Sequence, residues 1–183
     1  MLFNKRNRDN TNSDTAHPSG KGIDKHGLRI VVPIQDEEQG RLAVNVLKGS
    51  NHSRFSVIRL FHCVPNLHFT NSWINPMEVI QMHDSQVESQ EKARKQLREL
   101  ARELAAALPG VRITFNSVVH ESVADAIADE ANNLDANMIL MVNDPKRKKH
   151  WLFPGVSNRI LRTAKCPVQI IKPADQDGMV FVA

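Results

Sequence analysis

The chain has 183 residues, with 24 Lys and Arg against 20 Asp and Glu, a formal charge of +4, and 41% hydrophobic residues. That length suits one domain with one sizeable core, and no apolar run reaches the roughly 20 residues a membrane-spanning helix needs. Two cysteines, Cys63 and Cys166, without a framework spacing exclude a disulfide-built fold and are read as reduced thiols; the opening MLFNKRNRDNTNSD carries no apolar signal stretch, so a cytoplasmic protein is expected.

Residues 1–27 are rich in Asn, Asp, Ser, Lys, Gly and Pro, and Leu2 and Phe3 are their only large apolar residues before Ile23. Such a segment buries too little surface to offset ordering entropy, so it is read as a disordered basic tail. Leu28 to Ile34 (LRIVVPI) is almost wholly apolar, the pattern of a strand covered on both faces of a parallel sheet. Leu42, Ala43, Val46 and Leu47 recur at helical spacing, with Gly49 as C-cap. A second strand, FSVIRLFHCV over 55–64, is stopped by Pro65, which has no N–H for a ladder. The segment Asn66 to Asp84 reads as a long irregular loop.

From Val87 to Leu108 the residues Leu97, Leu100, Ala101, Leu104 and Leu108 form one apolar stripe, a helix ended by Pro109 and Gly110. Residues 111–119 give a third strand. Ser122 stands as N-cap, with Asp125 three residues on, before a helix lined by Ala124, Ile127, Ala128 and Ala131. Asn137 to Val142 is a fourth strand, Gly155 to Ala164 a short helix with Val156, Ile160 and Leu161 inward, and Pro167 to Ile171 a fifth strand. Strands alternating with helices predict an α/β domain, residues 28–173, built on a doubly wound, five-stranded parallel sheet. After Ala174 a polar turn leads to the stub MVFVA, read as a frayed C-terminal tail, with an edge strand or a partner contact as the alternatives.

The linker between the fourth strand and the short helix is chemically unusual. Nucleotide-binding proteins of this pattern use glycines there, so that backbone N–H groups can close around phosphate. This linker has Pro145, the cations Lys146, Arg147, Lys148 and Lys149, His150, Trp151 and one glycine, Gly155. Over residues 144–165 seven cations (those four with Arg159, Arg162 and Lys165) stand against Asp144 alone, a balance of +6. Such a patch suits an anionic partner, and a solvated charge run is the plainer reading.

Four ordered segments resemble the universal stress protein family. RIVVPIQDEEQGRLAV is similar to its opening strand and helix (ILVPVDGS and onward), RLFHCVP to its second-strand ending (LLHVVP), VVHESVADAIADEANNLDANMILM to VxxGDPAEAILEYAEEEGADLIVMG, and SNRILRTAKCPVQIIKP to VAERVLRHAPCPVLVV. The resemblance spans about residues 28–173. It implies a Rossmann-like, adenine nucleotide alpha hydrolase-like fold and a homodimer built by antiparallel pairing of the last strand, here Val168, Gln169, Ile170 and Ile171. A stress-responsive regulatory or adaptor role without a chemical step is the function it implies.

ATP-binding members of that family carry GxxG, nine residues, then G and S or T. Here Val142, Asn143, Asp144 and Pro145 stand first, followed after nine residues by Gly155 and Val156; counting back from Cys166 instead puts Pro154 and Gly155 at the late pair. Either alignment loses the first two glycines and the Gly–Ser pair. The acidic residue of VDGS falls at Gln35, which can hydrogen-bond but brings no charge, with Asp36 next. Pro145 cannot replace a glycine in an anion nest. The resemblance thus marks Pro33, Gln35, Cys63, Val142, Pro145, Gly155 and Val156 as a degenerate nucleotide pocket, with no cofactor expected and ATP or another nucleotide as the alternative.

Lys146 to Lys149 with Trp151 form the candidate anion or partner surface. Through side-chain charge and the N-terminus of the helix near Gly155 they could serve a nucleotide- or anion-sensing switch. KRKKHW could equally engage nucleic acid weakly, although Trp151, Leu152 and Phe153 suit packing or a protein interface better. Residues 66–84, with Trp73, Ile74, Met77 and Met82, are a second candidate surface. His52, His62, His68, His83, His120 and His150 show no ligand spacing, so no metal is expected, and His62 reads as a satisfied core histidine. No GxSxG, phosphate loop or paired nucleophile and base appears, which argues against an enzyme.

Overall fold

The computed structural model describes residues 27–66, 76–142, 154–173 and 179–182. In chain order the elements are β1 (Leu28–Pro33), α1 (Glu37–Gly49), β2 (Phe55–Pro65), α2 (Pro76–Ala107), β3 (Arg112–His120), α3 (Val123–Asn133), β4 (Met138–Val142), α4 (Pro154–Thr163), β5 (Val168–Pro173) and β6 (Met179–Val182). The sheet order is β3-β2-β1-β4-β5-β6. The first five strands are parallel, as the alternating pattern predicts, and β6 adds antiparallel to β5.

The helices divide the apolar residues between two faces. On one, Ile30, Val32, Ile58, Leu60, Ile113 and Phe115 of the sheet pack against Val44 and Leu47 of α1 and Leu97, Leu100 and Leu104 of α2. On the other, Val31, Phe61, Ile139 and Met141 meet Ile127 and Ala131 of α3 and Ile160 of α4. Adjacent strand residues therefore serve opposite faces, which is why LRIVVPI and MILMV need apolar side chains at every position. Gly40 lets α1 and α2 approach closely: a Cβ there would stand 2.5 Å from Leu100 Cδ1 and 3.2 Å from Ile34 Cγ2. Gly110, at φ +91°, turns the chain after α2 in a conformation that side chains disfavour.

Four expectations change. Gly49 is the last residue of α1 rather than its C-cap, which is Ser50, whose N–H donates to the Leu47 carbonyl. The helix expected from Val87 begins at Pro76, so residues 76–84 of the expected loop belong to α2, Met77 and Met82 among them. Proline at the first helical position is a start signal, because its missing N–H would have no intrahelical partner there. Leu161 does not face inward but is 54% exposed, while Ile160 is fully buried and Val156 half-buried. The stub MVFVA is not frayed: Met179–Val182 forms β6. The tail before Gly27, residues 67–75 with Trp73 and Ile74, and the linker 143–153 lie outside the described residues.

Candidate functional site

In a doubly wound sheet the ligand crevice opens where strand order reverses, outside the carboxyl ends of the strands. Here that point lies between β1 and β4. Their ladder is short, pairing only Ile30 with Met138 and Val31 with Ile139. Buried Pro33 has no N–H with which to extend it, so the ends of the two strands need another partner.

Gln39, in the first turn of α1 and 2% exposed, supplies it. Its Nε2 donates to the carbonyl of Val142, at the end of β4, at 2.9 Å. Its Oε1 accepts from the backbone N–H of Gln35 at 2.7 Å. Asp36, the N-cap of α1, accepts from the Gln39 N–H at 3.0 Å and so fixes where that side chain starts. One amide thereby ties the β1–α1 turn to the far side of the switch point.

The other side of the turn is held by β2. The Ile34 N–H donates to the Phe61 carbonyl at 2.7 Å, and the Ile34 carbonyl lies 2.8 Å from His62 Nδ1. A carbonyl only accepts, so the His62 proton resides on Nδ1. Burial lowers the His62 pKa below its ordinary 6.5, opposed by this hydrogen bond and by nearby Asp36. A base whose folded value lies below its unfolded value stabilises the fold above about pH 6.5. That contribution is lost as the pH falls through the folded value. His62→Gln should therefore flatten the stability profile below about pH 6.5, measured by urea unfolding at several pH values; an unchanged profile would show that His62 does not carry the acid sensitivity.

Of the residues that the sequence marks as a pocket, Pro33, Gln35 and Val142 do converge at the switch point, Gln35 exposed and Val142 buried with its carbonyl already engaged. Cys63 is half-buried on the α3 and α4 face, where burial pushes its thiol up to about 11, so thiolate is a minor species at neutral pH. Val156 packs into the same cluster. Gly155 is exposed in the first turn of α4, and a Cβ there would meet nothing within 4 Å, so packing does not require glycine. Pro145, Lys146, Arg147, Lys148, Lys149 and Trp151 fall outside the described residues.

The sequence reading missed two features. Gln39 is one. The other is a polar network under α3, where Arg59 Nη1 meets Glu130 Oε1 at 2.6 Å, Arg59 Nε donates to Thr114 Oγ1 at 2.7 Å, and Asn116 Nδ2 donates to Glu130 Oε2 at 2.9 Å. Arg159, counted among the cations of the basic stretch, forms a two-pronged pair with Asp125 at 2.7 and 2.6 Å. The Arg159 hydrogen bond is the chief reason the Asp125 carboxyl lies below its usual range, and Ser122 adds to it. This pair joins the start of α3 to α4, so the charge of Arg159 is matched within the fold.

The profile of the universal stress protein family matches residues 28–172. The chain belongs to the universal stress protein family. No curated protein matches it. Solved structures of similar fold include the universal stress protein UspA from Lactobacillus plantarum, 13% identical, covering 79% of this chain and 97% of that one at a TM-score of 0.57. A universal stress protein from Archaeoglobus fulgidus in complex with dAMP is 16% identical, with coverages of 79% and 98% and a TM-score of 0.50. A universal stress protein in complex with cAMP is 17% identical, with coverages of 81% and 99% and a TM-score of 0.51. At these identities the likeness establishes the shared α/β fold, so the ligand question in this universal stress protein rests on its own residues. Among the described residues no helix is long and apolar enough to cross a membrane.

Proposed function

We propose that this universal stress protein is a cytoplasmic, stress-responsive regulatory or adaptor protein, homodimeric, without a chemical step, that does not hold ATP in the manner of the family's nucleotide-binding members. The observation that carries this reading is the Gln39 amide. It already occupies the Gln35 N–H and the Val142 carbonyl, two backbone groups that line the switch point. A nucleotide at that place would have to displace two buried or half-buried hydrogen bonds, each costing about 1 kcal/mol to exchange. The loss of the glycines that would wrap phosphate, with Val142 and Pro145 in the first two signature positions, argues the same way. The partner surface in this reading is Lys146 to Lys149 with Trp151, and the partner is a protein.

A second reading has one observation in its favour: two proteins of this fold are in complex with dAMP and cAMP. In that reading the chain is a nucleotide- or anion-sensing switch, with Lys146 to Lys149 replacing the backbone nest by side-chain charge. Titration of nucleotide-stripped protein with ATP, ADP, AMP and cAMP, followed by melting temperature and heat, separates the two. A bound ligand at a hundredfold excess over its Kd stabilises by about 2.7 kcal/mol, so a site would be visible. A flat panel is expected. A saturable shift abolished by changing Lys146 to Lys149 to serine would install the switch reading in its place.

A further inference from the structure

The edge of β5 is covered by the chain's own C-terminus. β6 runs antiparallel to β5, with Ile170 opposite Val182, Ile171 opposite Phe181, Lys172 opposite Val180 and Pro173 opposite Met179. Without β6, β5 would be the outer strand, and the unpaired N–H and C=O groups of VQIIK would form an open edge ready to pair with another strand. The cover is incomplete, since Val168 and Gln169 lie beyond its register. It is also short. β6 has four residues and is the outer strand of the sheet, paired among the described residues with β5 alone. A ladder of that length is marginal on its own and opens readily.

Its direction matches what a second copy of the chain would present. Two copies of a chain related by a two-fold axis present identical strands to each other in antiparallel orientation. A second copy's β5 would therefore approach this edge in the direction β6 already takes and would need the same backbone groups. We propose that β6 is a releasable cover on β5 and that its release pairs two copies of the chain, β5 against β5. Assembly is then set by competition between a tethered strand and a free one. The tether, residues 174–178, holds β6 at a local concentration in the millimolar range, so a second copy prevails only when β6 is withdrawn or the protein is concentrated. The inference rests on the homodimer reading above and adds its control.

The test compares the full chain with a version ending at Pro173, by sedimentation over a range of concentrations. A dimer Kd lower by roughly ten- to a hundredfold in the shortened chain is expected from removal of a competitor at such a local concentration. Equal dimerisation of the two would overturn the cover while leaving the homodimer standing. Two monomers would overturn both. Should the shortened chain aggregate, the full chain carrying Lys172→Cys and Val180→Cys decides. These opposed positions allow an oxidised cross-link that holds β6 in place. The oxidised form should be monomeric where the reduced form dimerises, and equal dimerisation in both forms would overturn the proposal.

Discussion

Replacing Glu130 with alanine should cost about 3 kcal/mol of stability. Glu130 faces the sheet from α3, and its side chain is 8% exposed while that of Arg59 is 21% exposed. Removing the carboxylate leaves a guanidinium under α3 with Thr114 Oγ1 as its one side-chain acceptor among the described residues, and strips Asn116 Nδ2 of its partner there. Breaking a buried pair by removing one member costs about 3–5 kcal/mol; the partial exposure of Arg59 lets water recover some of that, which selects the lower end. For a domain of this size the loss corresponds to a fall of roughly 6–12 °C in melting temperature. Removing both charges together is a different matter. Arg59→Met with Glu130→Leu fills the same volume with apolar atoms and should recover at least half of the loss, because the desolvation of two ions disappears along with their attraction. Thr114 keeps its own longer contact with the Ile58 carbonyl in that background. Urea unfolding of the single and double variants measures the coupling directly. A loss under 1 kcal/mol for Glu130→Ala would mean that water already reaches the pair.

The network explains where sequence reading stops. Strand alternation and helical stripes locate every parallel strand and the apolar faces of the helices, because burial on two faces of a sheet leaves a dense apolar signal. They do not say what a polar residue inside such a pattern pairs with. Arg59 stands in FSVIRLFHCV as a charge amid apolar neighbours, an anomaly visible in the sequence, but its partner lies 71 residues away on α3. Glu130 sits three positions after Ile127 at the flank of the α3 stripe, where a solvated carboxylate is the ordinary expectation. Gln39 follows the same logic: it precedes Ala43 by four and Val46 by seven, on the apolar stripe of α1, so its place in the core was legible and its acceptor on β4 was not. The start of α2 was missed for a different reason. HDSQ, residues 83–86, interrupts the apolar stripe, and only Pro76 marks the first turn. As for β6, four apolar residues after a polar turn fit a strand and a frayed end equally well, and only pairing with β5 distinguishes them.

Gln39→Ala and Gln39→Met should each destabilise the fold by about 2 kcal/mol, with Ala somewhat worse because it also leaves a void. The loss falls mainly on the Val142 carbonyl, which is buried and accepts from Gln39 Nε2; the Gln35 N–H borders an exposed side chain and can turn to water. Gln39→Glu is the sharper variant. It preserves the acceptor facing the Gln35 N–H but sets a carboxylate oxygen against a carbonyl oxygen, in a position 2% exposed. Both burial and that repulsion favour the protonated acid, whose O–H can donate to Val142. A carboxyl with a folded value above its unfolded value of about 4.3 binds more protons in the native state, so stability is greatest below about pH 4 and falls as the pH rises through the folded value. The Glu variant should thus approach the parent in acid, apart from changes the two share, and drop below the Met variant at pH 7. Amide exchange provides the local readout: the β1–α1 turn and the end of β4 should lose protection together in all three variants, since one side chain ties them. Loss at the turn alone would mean that Val142 finds another donor and that the switch point stays closed without Gln39.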